Sequence, residues 1–387
     1  MNNIGIYIHI PFCASKCPYC DFYSFRSDEA TRAKYAAAVI RELHSAAEKY
    51  GRTADTLYLG GGTPSLLGGD ILADIIEAAK RDFRIDSGAE ITVECNPHSL
   101  ENGIFEKLKA AGVNRISLGL QSANDSERKR LGRRADRSEI ESVIKSIKSA
   151  GIDNISLDVM LGIPDSTRES LKSTLDFCIS QDVSHISGYI LKIEEGTPFE
   201  RMQETLSLPD DDAVSDMYLF MCDYLDSHGY KQYEISNFAK LGFESRHNLK
   251  YWNCEEYLGI GAAAHSFIDG KRFYYPRSAE GFINGISPEA DGEGGDLGEY
   301  AMLRLRLTDG LDEGELKKKF GISIPDNMRK KAEKYATDGY LVSDGQGIRL
   351  TRKGFLVSNT IISELIYLCF CVKILKIQTK EGGQCAH

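Results

Sequence analysis

Three cysteines near the start of the chain could bind a metal centre together. Cys13, Cys17 and Cys20 lie in the segment GIYIHIPFCASKCPYCDFYS, with three and then two residues between them. Thiolates are soft ligands that favour zinc, copper or iron–sulfur clusters over magnesium and calcium. A structural zinc site needs a fourth ligand, for which His9 is a candidate. Three cysteines on a [4Fe–4S] cluster would instead leave one iron open to an outside ligand, and three unrelated thiols are the remaining interpretation.

A second segment combines an imidazole with large aromatic side chains. His247–Trp252 reads HNLKYW and contains the only tryptophan of the chain. A planar ligand such as haem, bound by His247, is one interpretation. Packing of aromatic side chains beside the mouth of the fold is the other, since aromatic residues mostly serve packing. The small residues of Gly259–Ser266 that follow predict a close-packed turn or the start of a helix.

The elements that would position these residues alternate between apolar strands and helices. Because strands that alternate with helices form parallel sheets through right-handed crossovers, the pattern predicts an α/β fold with a partial (β/α)6 barrel. The predicted strands are Ile4–Ile10, Thr56–Gly60, Glu90–Glu94, Arg115–Leu120, Asn154–Leu161 and His185–Lys192, and the predicted helices between them are Asp28–Lys49, Gly69–Arg81, Leu100–Ala111, Ser138–Ala150 and Thr167–Ser180.

Polar and small residues come at or just after the ends of these strands. They are the cysteine loop, the glycine turn GGGTPS at Gly60–Ser65, and the side chains Glu94, Gln121 and Asp158. In parallel β/α barrels the carboxyl ends of the strands form the rim that carries the active site. The sequence therefore predicts that these residues share one site.

The last quarter of the chain predicts a separate small domain. The acidic, glycine-rich stretch at 287–296 predicts the boundary, so the domains are 1–286 and 297–360. Three amphipathic stretches and the hairpin Tyr340–Leu350 predict a winged-helix-like fold for the second domain. The tail at 361–387 receives no function.

Composition excludes some classes of function. The chain has 387 residues and a net charge of −10, which argues against a nucleic-acid partner because such proteins present a basic face. No apolar run is long enough to span a bilayer, although contact with a membrane surface stays open. Ten cysteines without a signal peptide favour a reducing, cytoplasmic location.

The ordered motifs resemble the coproporphyrinogen-oxidase-like branch of the radical S-adenosylmethionine (SAM) superfamily. The resemblance runs from about Ile4 to Asn359 and rests on YIHIPFC with the CxxxCxxC spacing, GGGTPS, ECNP, GVNRISLGLQS, LGRR, NISLDVMLGIP, GTPF and HNLKYW. The oxygen-independent coproporphyrinogen III oxidase carries an N-terminal extension and a further cysteine where this chain has Phe22. The HemW-type haem chaperones begin with the cysteine loop and carry both CDF and HNxxYW, so the chain is more similar to them.

The resemblance implies a set of cofactors and the residues that hold them. Cys13, Cys17 and Cys20 would hold a [4Fe–4S] cluster. The residues expected to contact the SAM on that cluster are Tyr7, Gly61, Gly62, Thr63 and Glu94, and those expected at a second SAM are Tyr19, Gln121, Arg133 and Asp158.

The resemblance also implies haem as a ligand and a haem-accepting protein as a partner. His247 is the expected axial ligand, placed beside the barrel mouth. Haem delivery is the expected function and coproporphyrinogen oxidation is the alternative. Whether the chain catalyses a SAM-dependent step stays open.

Overall fold

A computed structural model describes residues 3–366 of the chain. These residues form two compact units. The first contains residues 3–231, Ser236–Lys250 and Glu255–Glu293, and the second contains Gln232–Ile235, Tyr251–Cys254 and residues 294–366. Most of the tail that received no function lies outside the described residues.

Strands of the first unit build one large sheet. They are β1 (Ile4–Ile10), β2 (Ala54–Gly61), β3 (Glu90–Cys95), β4 (Arg115–Gln121), β5 (Asn154–Leu161), β6 (His185–Ile190), β7 (Lys231–Gln232), β8 (Asn237–Ala239), β9 (Tyr257–Ile260), β10 (His265–Ile268), β11 (Lys271–Tyr274) and β12 (Glu289–Glu293). From β12 to β8 the order across the sheet is β12-β11-β10-β9-β1-β2-β3-β4-β5-β6-β8.

Strands β1 to β6 are neighbours in chain order and pair in parallel, which confirms the predicted partial (β/α)6 barrel. Helices connect them or follow them. These helices are α1 (Glu29–Tyr50), α2 (Gly69–Phe83), α3 (Ile104–Ala110), α4 (Asp125–Arg130), α5 (Arg137–Ser149), α6 (Arg168–Ser180), α7 (Pro198–Met202), α8 (Asp211–Ser227), α9 (Arg246–Trp252) and α10 (Ala279–Ile283).

The alternation of side chains along the strands separates two faces of this sheet. In β1, Ile4, Ile6, Ile8 and Ile10 are fully buried. Because successive side chains of a strand point to opposite faces, Tyr7 lies on the other face, where its ring is near that of Tyr58 in β2. We call this second side of the sheet, which also bears Glu94 and Asp158, the inner face.

Local signals explain where several helices begin and end. The Asp28 carboxylate accepts a hydrogen bond from the Thr31 N–H and caps α1, which stops at Gly51 in the left-handed conformation. Asp136 and Glu139 form a capping box at the start of α5. These capping residues fix the lengths of the crossovers between parallel strands.

An antiparallel extension of the sheet was not predicted. Strand β9 pairs in parallel with β1, and β10, β11 and β12 follow as antiparallel neighbours. The close-packed turn predicted within Gly259–Ser266 is present at residues 261–264, whereas the two ends of the segment belong to β9 and β10. Glycine is needed at position 259 because a Cβ on Gly259 would lie 2.1 Å from the His265 carbonyl oxygen. The acidic stretch at 287–296, predicted as a boundary, contains the exposed strand β12.

The second unit has the predicted winged-helix-like composition of helices and a small sheet. Its elements are α11 (Leu297–Arg304), β13 (Leu311–Asp312), α12 (Glu313–Phe320), α13 (Asp326–Thr337), β14 (Leu341–Ser343), β15 (Gly347–Leu350) and α14 (Arg352–Leu356). Its three strands pair antiparallel in the order β13-β15-β14.

Among residues 3–366, no helix has the length and apolar character that crossing a membrane requires.

Candidate functional site

The cysteine loop leaves the carboxyl end of β1 and is closed at its base. The Phe25 N–H donates to the Pro11 carbonyl (2.9 Å), and the Cys13 N–H donates to the Phe25 carbonyl (3.0 Å). The buried Phe12 ring packs edge-on against Phe25 and Tyr35, with centroids 5.5 Å and 5.2 Å away. The loop is therefore held on the rim by the core beneath it.

The three thiols of this loop are partly exposed. Burial raises the pKa of Cys20, and the neighbouring Cys17 and Cys13 raise it further, while a backbone hydrogen bond at Phe22 lowers it. Three soft sulfur donors on one short loop suit a shared cationic centre, which fits an iron–sulfur cluster. Within residues 3–366, no three His, Cys, Asp or Glu side chains converge as ligands of one metal ion.

His9, the alternative fourth ligand, uses both ring nitrogens in hydrogen bonds. Nε2 lies 3.0 Å from the Tyr23 carbonyl oxygen and Nδ1 lies 2.9 Å from the Tyr7 hydroxyl. A carbonyl oxygen can only accept, so Nε2 carries the proton and Nδ1 accepts from Tyr7. Burial lowers the pKa of His9, which keeps the ring neutral. In this structure His9 is a buried support for the rim.

The glycine turn after β2 is pressed against the cysteine loop. The Gly62 N–H donates to the Ile10 carbonyl and the Thr63 N–H to the Phe12 carbonyl, at 2.9 Å and 2.7 Å. Gly61 has a φ of +109°, and a Cβ there would lie 2.5 Å from the His9 ring. The Thr63 hydroxyl approaches Cys13 Sγ at 3.6 Å. Glycine is required at Gly61 because a side chain at this positive φ would clash with the His9 ring.

Glu94 lies one residue before the end of β3, on the inner face, and bonds to this turn. Its Oε1 accepts from the Tyr58 hydroxyl (2.8 Å) and its Oε2 accepts from the Gly61 N–H (3.0 Å). Burial raises the pKa of Glu94 to about 7, and the charge of Asp158 adds to the rise, whereas the bonds from Tyr58 and Gly61 oppose it. The structure thus brings Glu94, the glycine turn and the cysteine loop together, as the strand ends predict.

A second group of predicted residues converges around Gly119 of β4. Arg133 Nη2 donates to the Tyr19 hydroxyl at 2.7 Å. A Cβ on Gly119 would lie 3.4 Å from Gln121 Nε2 and 3.5 Å from Arg133 Nη1. Asp158 is the register partner of Gly119 on β5. Tyr19, Gln121, Arg133 and Asp158 therefore occupy one region of the inner face.

The Asp158 carboxyl is mostly ionised at neutral pH in spite of its position. Burial raises its pKa to about 6, while the charges of Arg115 and Arg133 and hydrogen bonds from Ser117 and Ser187 lower it. The Ser117 hydroxyl donates to Oδ1 at 3.3 Å. A carboxylate here can accept hydrogen bonds from a polar ligand.

His247 lies at the opposite end of the strands from the cysteine loop, so its predicted place beside the barrel mouth is wrong. Its ring Nδ1 is 2.8 Å from the Thr56 hydroxyl, near the start of β2. Its backbone N–H donates to Glu90 Oε1 (2.9 Å), at the start of β3. The ring stacks on Tyr58, with centroids 5.2 Å apart. Because Glu90 also accepts the Arg246 N–H, its carboxylate anchors the start of α9 against the sheet.

The same ring is almost completely enclosed. His247 is 1% exposed, and burial lowers its pKa to about 3, with the charge of Lys250 acting in the same direction. The neutral ring stacks against Tyr58, and the Tyr58 hydroxyl in turn donates a hydrogen bond to Glu94. Sequence reasoning found His247 but missed Tyr58, Thr56 and Arg115, although alternation along β2 and β4 places all three on the inner face.

Comparison with known proteins gives consistent results along the chain. The family model described as the radical SAM superfamily matches residues 7–178, and the HemN C-terminal domain model matches residues 296–357. The heme chaperone HemW of Escherichia coli K12 is 35% identical over 369 residues, which cover 93% of this chain and 97% of that protein. The heme chaperone HemW of Lactococcus lactis is 32% identical, with 93% and 96% covered.

One solved structure matches over most of both chains. The coproporphyrinogen III oxidase HemN from Escherichia coli, described as a radical SAM enzyme, superimposes with a TM-score of 0.81 and covers 94% of this chain and 90% of that chain. At 21% sequence identity this similarity establishes the fold.

Proposed function

The chain belongs to the HemW family of haem chaperones within the radical SAM superfamily, and from this membership we propose that it binds haem and delivers it to a haem-requiring protein. The observation that carries the proposal is the similarity to proteins named heme chaperone over 93% of this chain. The oxidase alternative is less favoured, because its support is a likeness of fold at 21% identity.

Cys13, Cys17 and Cys20 hold a [4Fe–4S] cluster in this proposal. Their sulfurs share one short loop, which core packing fixes on the rim, and three cysteines leave the fourth iron for an outside ligand. When bound, such a cluster supplies an electron that can cleave the sulfonium bond of SAM.

SAM occupies the rim beside this loop. The ionised Glu94 carboxylate acts only as a hydrogen-bond acceptor, which suits the ammonium or hydroxyl groups of SAM. The Tyr58 hydroxyl and the Gly61 N–H orient the Glu94 carboxylate, and the close fit of Gly61 and Gly62 leaves the Thr63 hydroxyl next to Cys13. Tyr7 contributes its ring from β1.

Tyr19, Gln121, Arg133 and Asp158 form the second ligand site that the resemblance implies. The Arg133 guanidinium and the Asp158 carboxylate supply opposite charges, and Gln121 supplies an amide close to Gly119. A ligand with both a carboxylate and donor groups, as in a second SAM, suits this set.

The role of His247 as axial ligand of haem stays a prediction. In this structure its ring is enclosed between Thr56 and Tyr58. Direct ligation therefore requires the start of α9 to leave Glu90. The neutral imidazole at physiological pH is the form that binds iron.

The experiment is a spectroscopic titration of anaerobically purified protein with haem. We expect the broad absorption of an iron–sulfur cluster before haem is added, and then a Soret band that saturates at a fixed stoichiometry. A Soret band that grows without saturation would show the adventitious association typical of apolar surfaces and would contradict the proposal. A cytoplasmic location stays a prediction from the cysteine content of the sequence.

A further inference from the structure

Arg115 is a buried cation for which the described chain supplies no hydrogen-bond or ion-pair partner. It begins β4, next to Thr92 of β3 in the sheet register, and only 2% of its surface is exposed. Within residues 3–366, its guanidinium makes no hydrogen bond and no ion pair, and its Nε is shielded from solvent without an acceptor. Buried arginines ordinarily have acceptors, because an unpaired charge in the interior is strongly destabilising.

The guanidinium lies among the functional side chains of the inner face. Its charge lowers the pKa values of Asp158 and Glu94, and also that of His247 on the same face. Neither carboxyl is bonded to it. Glu94 is bonded to Tyr58 and Gly61, and Asp158 is bonded to serine hydroxyls.

Two further buried polar atoms on the inner face also lack a partner within the described chain. They are Thr92 Oγ1, beside Arg115, and Asn237 Oδ1 of β8. Asn237 pairs with Ser187, which is the register partner of Asp158. Buried polar atoms are nearly always hydrogen-bonded, so several orphans on one face indicate a polar ligand or ordered water there.

We propose that Arg115 binds the carboxylate of a ligand held on the inner face of the partial barrel. The planar guanidinium presents parallel N–H donors that match a carboxylate, and a bound carboxylate would neutralise the buried charge. The aminoacyl carboxylate of a SAM molecule and a propionate of haem share this chemistry. Either identity rests on the proposed function, whereas the carboxylate site itself does not.

The first measurement is the thermal stability of the unliganded protein with Arg115→Met. Methionine has a similar length and no charge, so removal of an unpaired cation should raise Tm by several degrees. Arg128→Met is the matched control, because Arg128 is equally buried but donates to the Ala135 carbonyl at 2.8 Å and 2.6 Å. We expect the control to lower Tm. A similar loss for Arg115→Met would overturn the proposal, since it would reveal a structural partner.

The second measurement compares ligands with and without a carboxylate, on wild type and Arg115→Met. Sodium propionate and L-methionine are the minimal probes and should raise the Tm of wild type only. SAM is paired with 5′-methylthioadenosine, which lacks the aminoacyl part, and haem with its dimethyl ester. One of these two pairs should contain the natural ligand of Arg115. For that pair, we expect Arg115→Met to lower the affinity for the ligand that carries a carboxylate at least about tenfold and to leave the affinity for its carboxylate-free analogue unchanged.

The outcomes separate this inference from the proposed function. Carboxylate-dependent, Arg115-dependent stabilisation by the minimal probes supports the inference even if haem fails to bind. The inference is overturned if Arg115→Met lowers the affinities for both ligands of each pair equally. It is also overturned if Arg115→Met changes no affinity at all, even if haem binding and transfer are confirmed.

Discussion

Glu94 is the residue whose protonation should control the SAM site. Its pKa is raised from 4.5 to about 7, mainly by burial. Only the ionised carboxylate accepts hydrogen bonds at both oxygens. We therefore predict that SAM affinity, measured by anaerobic calorimetry, rises as pH increases from 6 to 8. Glu94→Gln should weaken binding and flatten this dependence, and an unchanged affinity would remove Glu94 from the site.

Tyr58→Phe tests the hydroxyl that orients this carboxylate. Loss of its hydrogen bond removes an effect that lowers the pKa of Glu94, so the pH midpoint of SAM binding should move up by about one unit. Tyr275→Phe is the control, because it removes a similar bond to Glu42 (2.6 Å) that involves none of the site residues. Equal midpoints in Tyr58→Phe and wild type would contradict this account.

The cysteines give a prediction for the cofactor itself. Replacement of Cys13, Cys17 or Cys20 by Ala should abolish the cluster, which iron and sulfide analysis would show as a loss of about four of each per chain. Cys178→Ala, buried in α6, should lower stability slightly and retain the cluster. Stoichiometric zinc without labile sulfide in wild type would refute the cluster.

At the scale of elements, α9 and the strand starts form one packed layer through His247. His247→Ala removes a buried ring, its stacking on Tyr58 and its bond to Thr56, so we expect a loss of about 2–4 kcal/mol in the free energy of unfolding. His265→Ala is the matched control, because this ring is exposed. Denaturant unfolding measures both. A stability loss with unchanged haem spectra would assign His247 to packing alone, whereas a lost Soret band in folded protein would favour ligation.

Protonation of the His247 ring should account for part of the loss of stability at acidic pH. Its pKa is lowered from 6.5 to about 3 in the folded state, so below pH 6.5 the unfolded chain binds the extra proton. Stability should therefore fall as pH drops from 7 toward 4. A folded His247→Phe variant should lose less over this range than wild type, and parallel profiles would contradict the assignment.

The glycine turn gives a second prediction for an element. Gly61→Ala places a methyl group against the His9 ring in addition to straining a positive φ. Gly270→Ala is the control, since its φ is +73° and no atom lies within 4 Å of the new Cβ. We expect the control to cost about 1 kcal/mol, and Gly61→Ala to cost clearly more and to abolish SAM binding. Equal effects would show that backbone strain, not contact with the His9 ring, requires glycine.

At the scale of the whole molecule, the sequence predicts the repeating part of the fold well. Strands β1 to β6 are apolar, and their alternation with helices fixes a parallel order. Positions at their carboxyl ends then bring Glu94, the glycine turn and the cysteine loop to one rim. These relations follow from local pattern and chain direction.

Contacts between distant segments could not be predicted in this way. His247 follows β6 by some sixty positions, and only the burial of Glu90 against the N–H groups of α9 places it at the strand starts. The short strands β9 to β12 contain too few alternating apolar residues to be recognised. The burial of Arg115 could not be predicted either, because the sequence does not show which residues surround an arginine in an apolar strand.

The fold similarity to the oxidase allows a further prediction. We expect no conversion of coproporphyrinogen III to protoporphyrinogen with SAM and a reductant, because Phe22 stands where the oxidase carries a further cysteine. Phe22 is 69% exposed, so Phe22→Cys should fold normally and serve as a comparison. Steady turnover by wild type would establish the alternative function.

Transfer of haem tests the central claim most directly. The haem-loaded protein is mixed under anaerobic conditions with the haem-free form of a haem-requiring protein from the same organism, and the acceptor's spectrum is followed with time. Serum albumin loaded with the same amount of haem serves as the nonspecific donor. We predict that the acceptor gains haem from this protein faster and more completely than from albumin. Equal rates from both donors, or no haem retained by the protein before mixing, would contradict a chaperone function.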